Sequence, residues 1–210
     1  LGEVRDRRLR SPKKATRNGA STPHLFEERR QPETEYLGIP QTFTDNRWYA
    51  TVARLSPDVI ASIKLFTSPD PDGYLFAVIS SAMFMTWQRT VGGRMKSDPS
   101  FTNTIVWNTL PLPPVSTRAR SQIIKAGTEI LTARGLEPAK SLAEHYDPAM
   151  MSEELLAAHE ALDTLVDRAF GAKRRCKAER ERQQVLFQRY EELTAPLTAD
   201  LRTKRKGPAE

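Results

Sequence analysis

Apolar positions along this chain form short alternating pieces and one helical stretch before the proline cluster Pro111–Pro114, and follow helical spacing alone after it. Before residue 36 there is no hydrophobic pattern at all. The stretch 1–35 carries the clusters Arg7, Arg8, Arg10 and Lys13, Lys14, Arg17, and is broken by Pro12, Gly19, Pro23 and Pro32. It reads as a basic, extended lead-in, either a solvated linker or an arm that tracks phosphates. From Tyr36 to Ile60 the short apolar pieces YLGIP, RWYATVARL and SPDVI alternate with turn residues. That alternation predicts two or three short strands, the first two joined at Asp45-Asn46. Ile63–Phe66 predicts another, closed by SPDPDG.

Tyr74 to Arg89 places Leu75, Phe76, Val78, Ile79, Met83 and Trp87 at helical spacings. One continuous helix, buried on one side and stopped by Gly92-Gly93, is expected there. Phe101–Leu110 (FTNTIVWNTL) has the composition of a strand, and PLPP marks a boundary in stiff backbone. Beyond Pro114 the pattern is helical. It predicts helices over Arg118–Arg134, ended by Gly135, and Ser141–Tyr146, stopped by Asp147-Pro148. A third runs from an N-cap at Ser152 to Phe170, ended by Gly171, and a charged fourth spans Lys177–Leu193. The fold class is therefore α+β: a mixed small-sheet domain with a buried helix over residues 36–115, with the lead-in 1–35 belonging to it. A helical domain follows over 116–193, and residues 194–210 read as a disordered tail.

Composition narrows the function. Of 210 residues 39% are hydrophobic and 28% charged, as in ordinary soluble proteins. No apolar run approaches the roughly 20 residues of a membrane span and no signal-peptide pattern opens the chain. The single cysteine, Cys176, excludes an internal disulfide framework and fits a reducing cytoplasm. A net charge of +6 favours a polyanionic partner. Residue 1 is Leu, so the chain reads as a piece of a longer protein.

Catalytic constellations are missing. His24, His145 and His159 are far apart in sequence and, with one cysteine, do not have zinc-site spacing; His159 reads as a surface or interface residue of its helix. No GxSxG, HExxH or Walker loop occurs. Asp58, Asp70 and Asp72 invite a nuclease reading, but no Glu-x-Lys follows and they are turn formers beside prolines. Asn108 in WNTLPLPP has the wrong residues after it for an adenine-methyltransferase motif.

The informative stretch is SSAMFMTWQRTVGGRMKSD, Ser80 to Asp98, where a helix ends in a diglycine turn presenting Arg94, Lys96 and Asp98. On an extended backbone Lys96 and Asp98 would leave on one face. A lysine donates to guanine O6 or N7 and an aspartate accepts from cytosine N4, so the two suit one G·C pair. Their bland alternative is a surface ion pair worth under about 1 kcal/mol. Trp87 and Trp107 read as core residues, and Ser80 and Ser81 as helix-packing residues or, alternatively, phosphate donors.

This segment resembles the C-terminal portion of the MmeI family, large single-chain restriction–modification enzymes that fuse nuclease, adenine methyltransferase and DNA-recognition parts. The matching pieces include TR…TPHLFEERRQP, YLGIP, LSPDVIAS, IVWNTLPLPP, SLAEHYDPAMM and LLAAHEALDTLVDRAFG, in order over essentially the whole chain. The resemblance implies a target-recognition domain of double-stranded DNA over about residues 1–115, followed by a helical C-terminal domain. It implies an upstream methyltransferase domain as partner, which methylates one adenine at N6, in restriction–modification or phage defence. S-adenosylmethionine, and Mg2+ where a nuclease is present, belong to those upstream parts, and this chain alone is expected not to be catalytic. The family varies its specificity at positions matching Lys96 and Asp98, and Lys64 and Ser100. Lys64 then suits a second guanine, with the short Ser100 leaving it room, so two guanines are expected on the strand of the target adenine. Arg89 and Arg94 flank the segment as phosphate contacts or loop anchors, and Lys14 and Arg17 as phosphate contacts of the lead-in. The sequence departs from the family at Gly92-Gly93, Pro99, Trp107 and Leu112, and Pro99 fixes backbone between two reading positions. The competing reading is a structural module that docks on a methyltransferase or another protein without reading DNA.

Overall fold

The basic lead-in is helical rather than extended. In a computed structural model, which describes residues 1–26 and 30–205, it forms α1 (Gly2–Leu9), α2 (Lys14–Asn18) and a 3-10 turn at Gly19–Ser21. The Arg8 guanidinium donates to the carbonyls of Gly19 (2.7 Å), Thr22 (2.9 Å) and Leu25 (2.7 Å). Arg17 closes the turn between the helices through the carbonyls of Ser11 and Pro12, both at 2.8 Å. These contacts are polar, so a search for apolar periodicity misses them. Leu1–Glu33 is one compact unit of the chain, and Thr34–Glu210 is the other.

The second unit starts with β1 (Tyr36–Pro40), the central strand of an antiparallel sheet of order β2-β1-β3, with β2 at Ala53–Leu55 and β3 at Leu65–Pro69. Gly38 pairs with Ala53 on one side and Thr67 on the other. Central placement buries YLGIP almost completely. Of RWYATVARL only the last three residues form a strand, and Pro57–Val59 of SPDVI make a turn. The expected strand at Ile63–Phe66 lies two residues further on, at β3.

The amphipathic stretch after it is two helices, α3 (Tyr74–Ile79) and α4 (Ala82–Val91), not one. Ser81 is extended (φ −83°, ψ 155°) and its hydroxyl accepts from the Phe84 amide, so it starts a new helix as an N-cap. Apolar spacing runs on across the break, which hides it from the sequence. Asp70, buried, caps α3 by accepting from the Leu75 (3.0 Å) and Phe76 (2.9 Å) amides. Gly92 leaves α4 in extended conformation and leads into a hairpin of β4 (Gly93–Met95) and β5 (Asp98–Ser100).

FTNTIVWNTL is not a strand. Asn103–Trp107 makes a wide π-type turn, with the Asn108 amide donating to the Asn103 carbonyl at 2.8 Å. Strand composition measures fit to a half-buried surface rather than a backbone preference. Here Val106 is buried in a turn packed against α4 instead.

The helical part follows the sequence closely. It comprises α5 (Thr117–Gly135), α6 (Leu142–His145), α7 (Glu153–Ala169) and α8 (Glu179–Arg205). Ser116, Ser141 and Ser152 are N-caps, Ser141 within a capping box with Glu144. Gly171 turns the chain at φ 108°. α8 does not stop at Leu193 but continues through Pro196 to Arg205, while residues 206–210 lie outside the described ones.

These helices pack directly on α3 and α4. α5 packs on α3 and α7, and α4 on α7 and α8, so PLPP lies inside the second unit. At the α3–α5 contact a Cβ on Gly127 would come within 2.7 Å of the Ala77 Cβ. Gly127→Ala is therefore expected to destabilise by about 1–3 kcal/mol in urea titration. An unchanged midpoint would mean that the two helices part freely.

Candidate nucleic-acid interface

The tip of the hairpin is the two-residue turn Lys96-Ser97, with Met95 paired to Asp98. Lys96 sits at φ 58°, the one non-glycine with positive φ among the described residues. Its side chain is exposed at the apex. The two-residue alternation of a strand does not hold across a reversing turn. Lys96 and Asp98 are therefore not neighbours on one strand face, as the spacing suggested, but tip and shoulder of one hairpin.

The shoulder is braced from outside. One Asp98 carboxylate oxygen accepts from the Asp45 amide at 3.0 Å. Arg94 donates to the Asp45 carboxylate at 2.9 Å and to the Ser97 carbonyl at 2.6 Å. Arg94 and Asp45 are about half exposed (46% and 50%), so the pair orders the hairpin more than it stabilises it. Arg89 donates to the Arg47 carbonyl at 2.6 Å and lies 3.5 Å from Glu179 of α8. Both arginines thus hold loops.

Lys64 and Ser100 are brought together by the residues that follow β1. The Gln41 amide donates to the Lys64 carbonyl at 3.0 Å, and the Phe101 amide to the Gln41 carbonyl at 2.8 Å. Thr42 bridges to Ser100, and the Phe43 amide donates to Pro99. The Ser100 hydroxyl lies 3.5 Å from the Gln41 carbonyl. Residues 41–43 therefore join the edge of the three-stranded sheet to the hairpin, with Lys64 and Ser100 two strand spacings apart, roughly 10 Å. Gln41, half-buried and bonded through its amide to the Ile63 carbonyl at 2.8 Å, lies between them. Sequence reading passed over it. Its signal was a polar amide directly after a buried strand. Beneath this edge Phe66, Phe101, Phe84 and Phe43 form a chain of ring contacts, with centroids 5.1–6.5 Å apart.

In the first unit Lys14 is exposed at the start of α2, and Arg17 is spent on the turn described above.

A second polar cluster, which sequence reading missed, ties residues 49–52 and the α3–α4 break to the helices. Asp163 accepts from the Tyr49 hydroxyl (3.1 Å) and the Ala82 amide (2.8 Å). Arg182 grips Asp167 through two nitrogens at 2.9 and 3.0 Å and lies 3.5 Å from Asp163. His159 is wholly buried, not at the surface. It stacks on Tyr49 with ring centroids 3.9 Å apart. Its Nδ1 faces the Ser80 carbonyl at 3.0 Å, which only a donor can satisfy, so Nε2 accepts from the Tyr146 hydroxyl at 2.8 Å. Arg134 donates in turn to Tyr146 and to the Val52 carbonyl. Burial first, and then the Arg134 charge, holds His159 down at about 3. Burial pushes Asp163 up to about 6 against the pull of its Ala82 and Arg182 partners. Among the described residues no group of His, Cys, Asp and Glu could hold a metal ion, and no helix is long and apolar enough to cross a membrane.

The family model for the MmeI target recognition domain matches residues 1–114, and that for the MmeI C-terminal domain matches residues 115–198. DNA methyltransferase A of Bacillus subtilis (strain 168) is 35% identical over 190 residues, 90% of this chain and 21% of that protein. A solved structure of the Type IIL restriction-modification enzyme MmeI in complex with DNA is similar at a TM-score of 0.81 and 37% identity. That match covers 92% of this chain and 26% of the other. The chain thus spans about a fifth to a quarter of these relatives.

Proposed function

Because the chain belongs to the MmeI family, with residues 1–198 matching its target recognition and C-terminal domains, we propose that it reads duplex DNA for a larger adenine-N6 methyltransferase. The observation that carries the proposal is the convergence of Lys64, Gln41, Ser100, Asp98 and Lys96 on adjacent backbone segments at one braced edge. Lysines donate to guanine O6 and N7, a carboxylate accepts from cytosine N4, and an amide can do either, which is the chemistry of major-groove reading. Exposed Ile63 (86%) and Met95 (63%) add apolar surface suited to thymine methyl groups. Lys96 and Asp98 are assigned to one G·C pair, and Lys64 with Ser100 to a second guanine. Arg89 and Arg94 act by holding loops, and Lys14 is assigned to phosphate contact.

The resemblance assigns S-adenosylmethionine to domains outside these residues. A Cβ on Gly92 would fall 2.2 Å from the Gln88 amide nitrogen, so the diglycine is a tight exit from α4 rather than a cofactor cradle. Methyl transfer is assigned to a domain outside these residues.

The test is to express the full-length polypeptide that carries this chain in an unmethylated host and map methylated adenines by long-read sequencing. A single asymmetric motif with guanines on the modified strand is expected. Lys96→Ala and Asp98→Ala should each relax one base pair of it, at about 1–3 kcal/mol of discrimination. A motif untouched by both variants would favour the docking module, and absence of methylation from soluble protein would overturn the assignment to a methyltransferase.

A further inference from the structure

Three consecutive residues of α4 each donate a side-chain N–H to a main-chain carbonyl in a different segment: the wide turn 103–107, strand β5 and the turn 44–47. Trp87 Nε1 donates to Val106 at 3.1 Å, Gln88 Nε2 to Ser100 at 3.1 Å, and Arg89 Nη2 to Arg47 at 2.6 Å. Successive helix residues point about 100° apart, so the tripeptide fans out to all three. The helix beneath them is among the most buried in the chain, with Trp87 2% and Gln88 0% exposed.

Gln88 is costly where it stands. Its Oε1 is buried with no hydrogen-bond partner, although its Nε2 is satisfied. An apolar side chain would carry no unpaired oxygen, so what the amide supplies is its N–H toward Ser100. Gly92, with no Cβ, leaves room for that amide.

The two bonds lead to different reading residues. Ser100, held by Gln88, lies against Gln41, which bonds the Lys64 backbone. Arg47, held by Arg89, closes the turn from Thr44 at 3.2 Å. That turn carries Asp45, the partner of Asp98 and Arg94. We infer that Gln88 and Arg89 are separate positioning residues for DNA specificity, Gln88 setting the Lys64/Ser100 pair and Arg89 the Lys96/Asp98 pair. The inference rests on the DNA-reading function proposed above. Neighbouring residues of one rigid helix then act chiefly on different base pairs, because Gln88 holds the Ser100 end of β5 while Arg89 holds the turn that braces Asp98 at its other end.

The experiment measures kcat/KM for methylation by the full-length polypeptide, on the cognate duplex and on duplexes with single base-pair substitutions. Lys64→Ala and Lys96→Ala identify which base pair each reading pair controls. Gln88→Met, which loses the donor but keeps the volume, should lower discrimination about tenfold at the Lys64/Ser100 base pair and under twofold at the other. Arg89→Met should show the reverse, and with its side chain 22% exposed it is expected to fold whatever Gln88→Met does. Equal losses at both base pairs, or reduced thermal stability with discrimination intact, would overturn the inference. If Lys64→Ala and Lys96→Ala also change no preference, the DNA-reading function itself fails. If they do while the α4 variants do not, only the positioning role fails.

Discussion

Arg182→Ala is expected to lower the unfolding free energy by about 3–5 kcal/mol, the cost of stripping one partner from a buried ion pair. Arg182 is 6% exposed, and Asp163 and Asp167 are 1% and 0% exposed. Its guanidinium meets Asp167 in a bidentate fork and stands 3.5 Å from Asp163. Removing it leaves two buried carboxylates on successive turns of α7 with no cation between them. The amides of Cys176 and Ala82 still donate to them, at 2.8 Å each, but amide dipoles offset only part of two buried charges. The same arginine ties α8 to α7, so the loss should spread to the α4–α8 contact. Urea titration at neutral pH measures it. A shift below about 1 kcal/mol would mean that water reaches the cluster and that the pair behaves as a surface one.

The second large effect is in pH dependence. His159 is held at about 3, below its usual 6.5, so it is neutral when folded and takes up a proton on unfolding as pH falls below 6.5. The stability it contributes is present above that value and is lost on acidification. Asp163 is raised from 3.8 to about 6, so unfolding releases its proton between those values. Its contribution runs the other way, present at low pH and lost as pH rises through 6. Each proton corresponds to about 1.4 kcal/mol per pH unit. Between about pH 4 and 6 the two slopes oppose and cancel, and below 4 only the His159 loss remains. Relative to the unsubstituted chain, His159→Gln should gain stability on acidification from pH 6 to 4. Asp163→Asn should lose it over the same range. Urea midpoints at pH 6, 5 and 4 decide the matter: slopes of one sign in both variants would show that the two groups do not titrate as their burial requires.

Both effects lie in the cluster that ties residues 49–52 and the α3–α4 break to the helices, and neither was visible in the sequence. Tyr49 and Asp163 are 114 residues apart and His159 and Ser80 are 79 apart. His159 stands between Ala158 and Glu160, and its residue type alone carries no mark of burial. The wide turn at Asn103–Trp107 escaped for a related reason: Val106 buries in a turn packed against α4 rather than in a sheet, while Thr104 and Ile105 stay exposed. The single helix expected over 74–89 divides because Ser81 competes for a backbone amide, a choice that apolar spacing does not record.

By itself the sequence determined the α+β class, the central strand YLGIP, the helices of the second half, the resemblance to a DNA-recognition family and the residue types suited to reading a base pair. These are local quantities: a serine cap, a glycine stop and a 3.6-residue period act within a few residues of one another. Only the tertiary structure decided which of those residues stand together. Gln41 between Lys64 and Ser100, and α4 holding both β5 and the turn 44–47, depend on carbonyl contacts across 12 to 59 residues of chain. Such contacts form wherever burial and backbone hydrogen bonding are satisfied at once, and no short window of sequence contains both partners.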